Sequence, residues 1–163
     1  MNNINEIIDS PGIKLIENEI TIEEYLSIRK AVNWKQLSDE QASLALNNSL
    51  YTVGAYDTCN SKDDCLNDLS VKRKLIGMGR IVGDGAVICY VQDLIVLPEY
   101  QKRGVGSRIL RSLTSFVNSI KQPDTEMMFC LMCAKGRERF YKKHGFIERP
   151  TDNLGPGMIQ YLK

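Results

Sequence analysis

The stretch Val91-Gln-Asp-Leu-Ile-Val-Leu-Pro-Glu-Tyr-Gln-Lys-Arg-Gly-Val-Gly-Ser107 changes its hydrophobic period partway along. Up to Leu97 it is an apolar run of strand type. From Val105 the apolar residues Val105, Ile109, Leu110, Leu113, Phe116, Val117 and Ile120 recur at helical spacing and predict a helix that ends before Pro123. A tight loop must join the two. Gly104 and Gly106 at the helix start let backbone N–H groups approach a phosphate with no Cβ in the way, and the helix dipole favours negative charge there. Lys102, Arg103 and Arg108 add positive charge around the loop. Gly-x-Gly alone is weak, because any loop needing a permissive backbone provides it. The order strand, Gln101-x-x-Gly104-x-Gly106, amphipathic helix is stronger. It lacks the Gly-Lys-Ser/Thr of a Walker loop and the third glycine of a dinucleotide fingerprint, so it reads as a two-glycine pyrophosphate loop.

Working outward, Gly12 to Ile20 suggests a first strand, and Thr21 with Glu24 forms a capping box opening a helix through about Lys30. Ser38, Asp39 and Glu40 introduce a second short helix through Asn47 or Asn48. Leu50 to Tyr56, Lys74 to Val82 and Ala86 to Leu97 read as strands, the last two joined by the turn Gly83-Asp84-Gly85. Asp57 to Ser70, with Asp63, Asp64 and Asp68, reads as a polar loop. Beyond the central helix, Glu126 to Met132 is a predicted strand and Gly136 to His144 a helix stopped at Gly145. Phe146 to Glu148 and Met158 to Leu162 are expected to close the sheet. The order predicts a single domain over 1–163, an α/β sandwich with one mixed sheet.

Charge is nearly balanced, 21 Lys and Arg against 20 Asp and Glu, so no overall field points to nucleic acid or an anionic membrane, and any anion site must be local. No stretch approaches the roughly 18 apolar residues of a membrane span, and Met1 to Ser10 lacks a cationic start and an apolar core, which predicts a cytoplasmic protein. Cys59, Cys65, Cys89, Cys130 and Cys133 form an odd set with no compact framework, expected as reduced thiols. Cys130-Leu-Met-Cys133 is formally C-x-x-C, but a strand sends residues three apart to opposite faces, so core packing is the expectation. With one histidine in the chain, His144, a four-ligand zinc site has few candidates and no metal is expected.

At the loop Gln101 to Gly106 the chain resembles the GNAT superfamily of acetyl-CoA-dependent N-acetyltransferases, matching that family's Q/R-x-x-G-x-G/A motif in full. The resemblance extends from about Leu50 to Tyr161 and implies a mixed, mostly antiparallel sheet of six to seven strands flanked by about four helices. It implies that Gln101, Lys102, Arg103, Gly104, Val105, Gly106 and Ser107 surround the pyrophosphate of acetyl-CoA. Leu94, Ile95 and Val96 would pair with the pantetheine arm through main-chain bonds. A bulge and a splay at this strand would open a slot for the thioester.

Ala134-Lys-Gly-Arg-Glu-Arg-Phe-Tyr-Lys-Lys-His-Gly-Phe-Ile147 resembles the family's second signature, a helix carrying a tyrosine ahead of a Gly-Phe turn. Tyr141 falls on that position, where a phenol could protonate the departing thiolate; a core aromatic is the alternative. Asp93, on the strand beside the thioester, is the candidate proton acceptor, directly or through water, because an amine of pKa near 10.4 is only about one part in a thousand neutral at pH 7. His144 reads as a solvated cap at a helix end. Trp34 is the candidate acceptor wall, with a core role equally open. Gly155-Pro156-Gly157, in a tail similar to that of small bacterial GNAT proteins, is either functional or a turn. The expected partner is a small-molecule amine, with a homodimer the assembly considered. A non-catalytic acyl-CoA sensor and a protein or peptide acetyltransferase are the competing readings.

Overall fold

The computed structural model describes residues 12–58 and 73–162. Strands β1 (Ile13–Glu17), β2 (Tyr51–Asp57), β3 (Lys74–Gly83), β4 (Ile88–Val96) and β5 (Met128–Cys130) form one sheet in sequence order. The first three pairings are antiparallel and β4–β5 is parallel. Helices α1 (Ile22–Ala31) and α2 (Asp39–Asn47) come before β2, α3 (Val105–Ile120) links β4 to β5, and α4 (Glu138–Lys142) follows β5.

Both early helices start where the sequence signals them. Thr21 Oγ1 accepts from the Glu24 N–H while the Glu24 carboxylate accepts from the Thr21 N–H, and Ser38 and Gln41 repeat the arrangement on α2. In the β3–β4 turn, Asp84 Oδ1 accepts from the N–H groups of Ala86, Val87 and Ile88, which satisfies the backbone of a segment too tight to satisfy itself.

The sheet carries α3 on one face and α1 and α2 on the other. The α3 stripe Val105, Ile109, Leu110, Leu113 and Val117 is buried, and each such side chain contributes about 1.5–3 kcal/mol before chain entropy is set against it. Close approach depends on Gly77 and Gly79 of β3. A Cβ on Gly79 would stand 2.6 Å from Ile109 Cγ2 and 2.9 Å from Leu113 Cδ1. On the opposite face Tyr25 and Arg29 of α1 reach Asp93, and Arg80 reaches the Ala45 carbonyl of α2.

Several expectations need correction. The sheet has five strands among the described residues, not six to seven. Phe146 packs against Phe129 and Tyr141, but 146–148 and 158–162 form no strands, and Ile147, Met158, Tyr161 and Leu162 are exposed. Pro150 and Pro156 remove backbone donors between them, and β5 is only three residues long, so the tail has a short edge to join and few bonds to join it with. That same shortness leaves Cys133 outside the strand and exposed rather than in the core, whereas Cys89 is buried; all three described cysteines are free thiols. Cys59, Cys65 and the polar loop beyond Thr58, up to Lys72, lie outside the described residues.

Candidate active site

The sheet is irregular at one place on both sides of β4. Toward β3, Arg80 opposes Asp93 and Ile81 opposes Val91, so Gln92 bulges out of the ladder. Toward β5, pairing stops after Tyr90 opposite Cys130. Leu94, Ile95 and Val96 therefore pair with Gly79, Met78 and Gly77 on one side and with no described strand on the other. The Tyr90 hydroxyl accepts from the Met132 N–H at 2.9 Å, holding β5 to β4 by a side chain where main-chain pairing has ended. A slot with a free strand edge along one wall is the result.

At one end of this slot stands the loop. Gly104 is the N-cap of α3 with φ +80°, and Lys102 also takes a left-handed conformation at φ 61°. No side chain among the described residues caps α3, so the first-turn N–H groups are left for an outside acceptor. Gln101 is turned away from that site, its Nε2 donating to the Val96 carbonyl at 3.0 Å, and so it fixes the loop to the end of β4. Gly106 has an ordinary φ, and a Cβ there would stand 3.6 Å from Phe140 Cζ and Val96 Cγ2, an ordinary contact. That is the physical basis for a motif position that accepts Gly or Ala.

Tyr141 of α4 is half-buried between Phe140 and Phe146, with ring centroids at 5.1 and 5.8 Å. Burial first, then the nearby Cys133, push its phenol up to about 12, with Arg137 opposing them and Tyr90 adding a smaller push. It stays protonated throughout the neutral range. A proton donor is available there and a base is not.

Asp93 is 2% exposed. Its Oδ2 accepts from the Tyr25 hydroxyl and from Arg80 Nε, both at 2.8 Å, and its Oδ1 accepts from Arg29 Nη1 at 3.3 Å. Both lone pairs of Oδ2 are engaged and a salt-bridge partner sits at each oxygen, so the carboxylate is fully occupied by the protein's own side chains. Asp93 instead ties α1 to the two strands at the bulge. Arg29 carries the tie onward: Nη2 donates to the Lys35 carbonyl, and the guanidinium lies 5.3 Å from the Trp34 ring centroid. Trp34 is 37% exposed, so it belongs to the surface between α1 and α2 and not to the core. The Arg29 cation already covers one ring face, which favours Trp34 as an apolar wall over a seat for a second cation.

Sequence reasoning missed Tyr25, Arg29, Arg80 and Tyr90. The signal for one pair was present: Arg80 and Asp93 are lone opposite charges inside apolar strands, and such charges are rarely buried unless paired. His144 is not the solvated cap expected. Its ring packs on Phe140 at 5.0 Å and its Nε2 lies 3.1 Å from Ser107 Oγ. Among the described residues no cluster of His, Cys, Asp or Glu could hold a metal ion, and no helix is long and apolar enough to cross a membrane. A cleft of about 410 Å³ between α1 and the start of β3 is lined by Glu24, Arg73, Lys74 and Glu99, but by neither Tyr141 nor the glycine loop.

Residues 65–148 match the model of the acetyltransferase (GNAT) domain, and the chain belongs to that family. It is 28% identical over 166 residues to GCN5-related N-acetyltransferase 2, chloroplastic, of Arabidopsis thaliana, covering 98% of this chain and 60% of that one. It is 27% identical over 127 residues to GCN5-related N-acetyltransferase 3, chloroplastic, of the same plant, covering 73% of this chain and 50% of that one. The chain thus spans between half and three-fifths of these relatives. A Staphylococcus aureus protein of unknown function has the same fold with a TM-score of 0.72 at 29% identity, with 91% of this chain and 99% of that one aligned.

Proposed function

We propose that this protein transfers the acetyl group of acetyl-CoA to a primary amine of a small molecule, both substrates being bound together. The observation that carries this reading is the slot along Leu94 to Val96, with uncapped α3 N–H groups at one end and the protonated phenol of Tyr141 bordering the splay. The loop fits an anionic pyrophosphate: Gly104 lets the backbone turn, and Lys102, Arg103 and Arg108 supply charge. The free edge of β4 suits the amide groups of a pantetheine arm.

In the transfer, the amine nitrogen attacks the thioester carbonyl carbon, the C–S bond breaks, and the proton lost by nitrogen balances the one gained by sulfur. Tyr141 donates a hydrogen bond to the sulfur as charge builds. With its phenol at about 12 against an ordinary thiol near 8.5, complete transfer of the proton would run uphill by roughly 5 kcal/mol. Donation, with the proton arriving from solvent or from the amine itself, is the role its acidity supports. With Asp93 engaged by Arg80, Arg29 and Tyr25, the amine reaches the slot in its neutral form or loses its proton to water.

The test is an acetyl-CoA assay over polyamines, arylalkylamines, amino acids and peptides. Small amines should be acetylated in preference to peptides. Turnover confined to peptides would transfer the reading to protein substrates, and tight acetyl-CoA binding with no turnover on any amine would make the protein a sensor.

A further inference from the structure

The lone histidine lies against the loop that the proposed function assigns to acetyl-CoA. Helix α4 and the turn after it meet the first turn of α3 at two adjacent points: Phe140 faces Gly106, and His144 Nε2 stands 3.1 Å from Ser107 Oγ. Ser107 is the third residue of α3, so its N–H is one of the first-turn donors left without a side-chain cap. The ring is half-buried and held against Phe140, which keeps it from swinging into solvent.

The charged groups bearing on His144 are Arg111 from α3 and Lys143 from the turn that follows α4. Burial, then Arg111 and Lys143, lower its pKa from the ordinary value, so in the free protein the ring is mostly neutral near pH 7. A neutral ring protonated on Nδ1 takes the Ser107 hydroxyl hydrogen for itself. An imidazolium reverses the bond: Nε2–H donates to Ser107 Oγ, and the serine hydrogen is released toward whatever acceptor lies at the helix start.

We propose that Ser107 and His144 form a proton-linked donor pair for the pyrophosphate of an acyl-CoA, so that binding the cofactor draws a proton onto His144. The anion stabilises the imidazolium through charge and through the hydroxyl that protonation frees. Repulsion from Arg111 and Lys143 diminishes once the anion is present. Affinity then rises as pH falls. The gain is complete below the pKa of the free ring and is lost as pH rises through the pKa of the complex. The inference rests on the loop reading but does not follow from it, since the loop could bind pyrophosphate with the ring neutral throughout.

Because the chain has one histidine, a tag-free sample gives a single imidazole Cε1–H resonance, and its titration by NMR reports His144 directly. Dephospho-CoA is the probe, because the phosphate monoester of CoA itself titrates near pH 6 and would confuse the result. Dephospho-CoA should raise the His144 pKa by about one unit, and its calorimetric affinity should approach tenfold tighter at pH 5 than at pH 8. In His144→Gln that dependence should flatten. Binding that leaves the His144 titration unmoved overturns this proposal alone, whereas failure of the wild-type protein to bind dephospho-CoA at either pH overturns the loop reading with it.

Discussion

Arg80 and Asp93 oppose each other across β3 and β4, Nε to Oδ2 at 2.8 Å, at the register position that adjoins the bulge at Gln92. Arg29 reaches the second carboxylate oxygen from α1, so one buried anion holds two cations. A bulge ends regular pairing, and this pair fixes the strands where the main chain no longer does.

Asp93→Asn should therefore act on stability. It leaves two largely buried guanidiniums without their anion, at a cost of about 3–5 kcal/mol. Urea unfolding is the measurement. The folded fraction should keep the pH profile of the wild type; a variant of unchanged stability that loses the acidic limb of kcat/KM would return Asp93 to the role of proton acceptor.

Two glycines of the loop should respond differently. Gly104→Ala meets no atom within 4 Å, so its effect comes from a backbone held at φ +80°, about 1 kcal/mol, and from a loop that relaxes away from its anion-binding shape. Gly106→Ala should be tolerated, whereas the added methyls of Gly106→Val press on Phe140 and Val96. Calorimetry should show acetyl-CoA affinity nearly kept in the first Gly106 variant and severely weakened in the second. Equal affinities would remove the loop assignment.

Tyr141→Phe keeps the ring packing with Phe140 and Phe146, so stability and acetyl-CoA affinity should change little while kcat falls by about 10²-fold or more. Because burial holds the phenol near 12, its loss of a proton cannot shape the profile below about pH 10. The rise of kcat/KM with pH should follow the acceptor amine's own ionisation, measured at saturating acetyl-CoA. A wild-type kcat in the variant, with chemistry limiting, would remove Tyr141 from the transfer altogether.

Trp34→Ala should raise the KM of the acceptor more than that of acetyl-CoA and leave the melting temperature nearly unchanged, since the ring is substantially exposed. Equal rises in both KM values would take Trp34 out of the acceptor site.

Gly79→Ala tests how α3 is seated. The new methyl falls on Ile109 and Leu113, and overpacking of this kind costs about 1–3 kcal/mol. A drop in melting temperature of several degrees is expected in thermal unfolding. No change would mean that α3 can move off the sheet freely.

The sequence alone determined whatever depends on neighbours along the chain. Capping at Thr21 and Ser38 is decided within three residues, the turn at Asp84 within four, and the helix face from Val105 by its own period. The loop Gln101 to Gly106 was legible for the same reason: left-handed φ at Gly104 and an uncapped helix start are local properties. Tertiary structure decided what joins distant segments. The partners of Asp93 come from 13, 64 and 68 residues away, and no spacing rule announces them. His144 looks like a helix end in sequence and becomes a partner of Ser107, 37 residues earlier, only because the turn after α4 folds against the start of α3. The tail failed in the opposite direction. Its apolar residues predicted strands, but a strand is completed by an edge to pair with, and a three-residue β5 supplies too little of one.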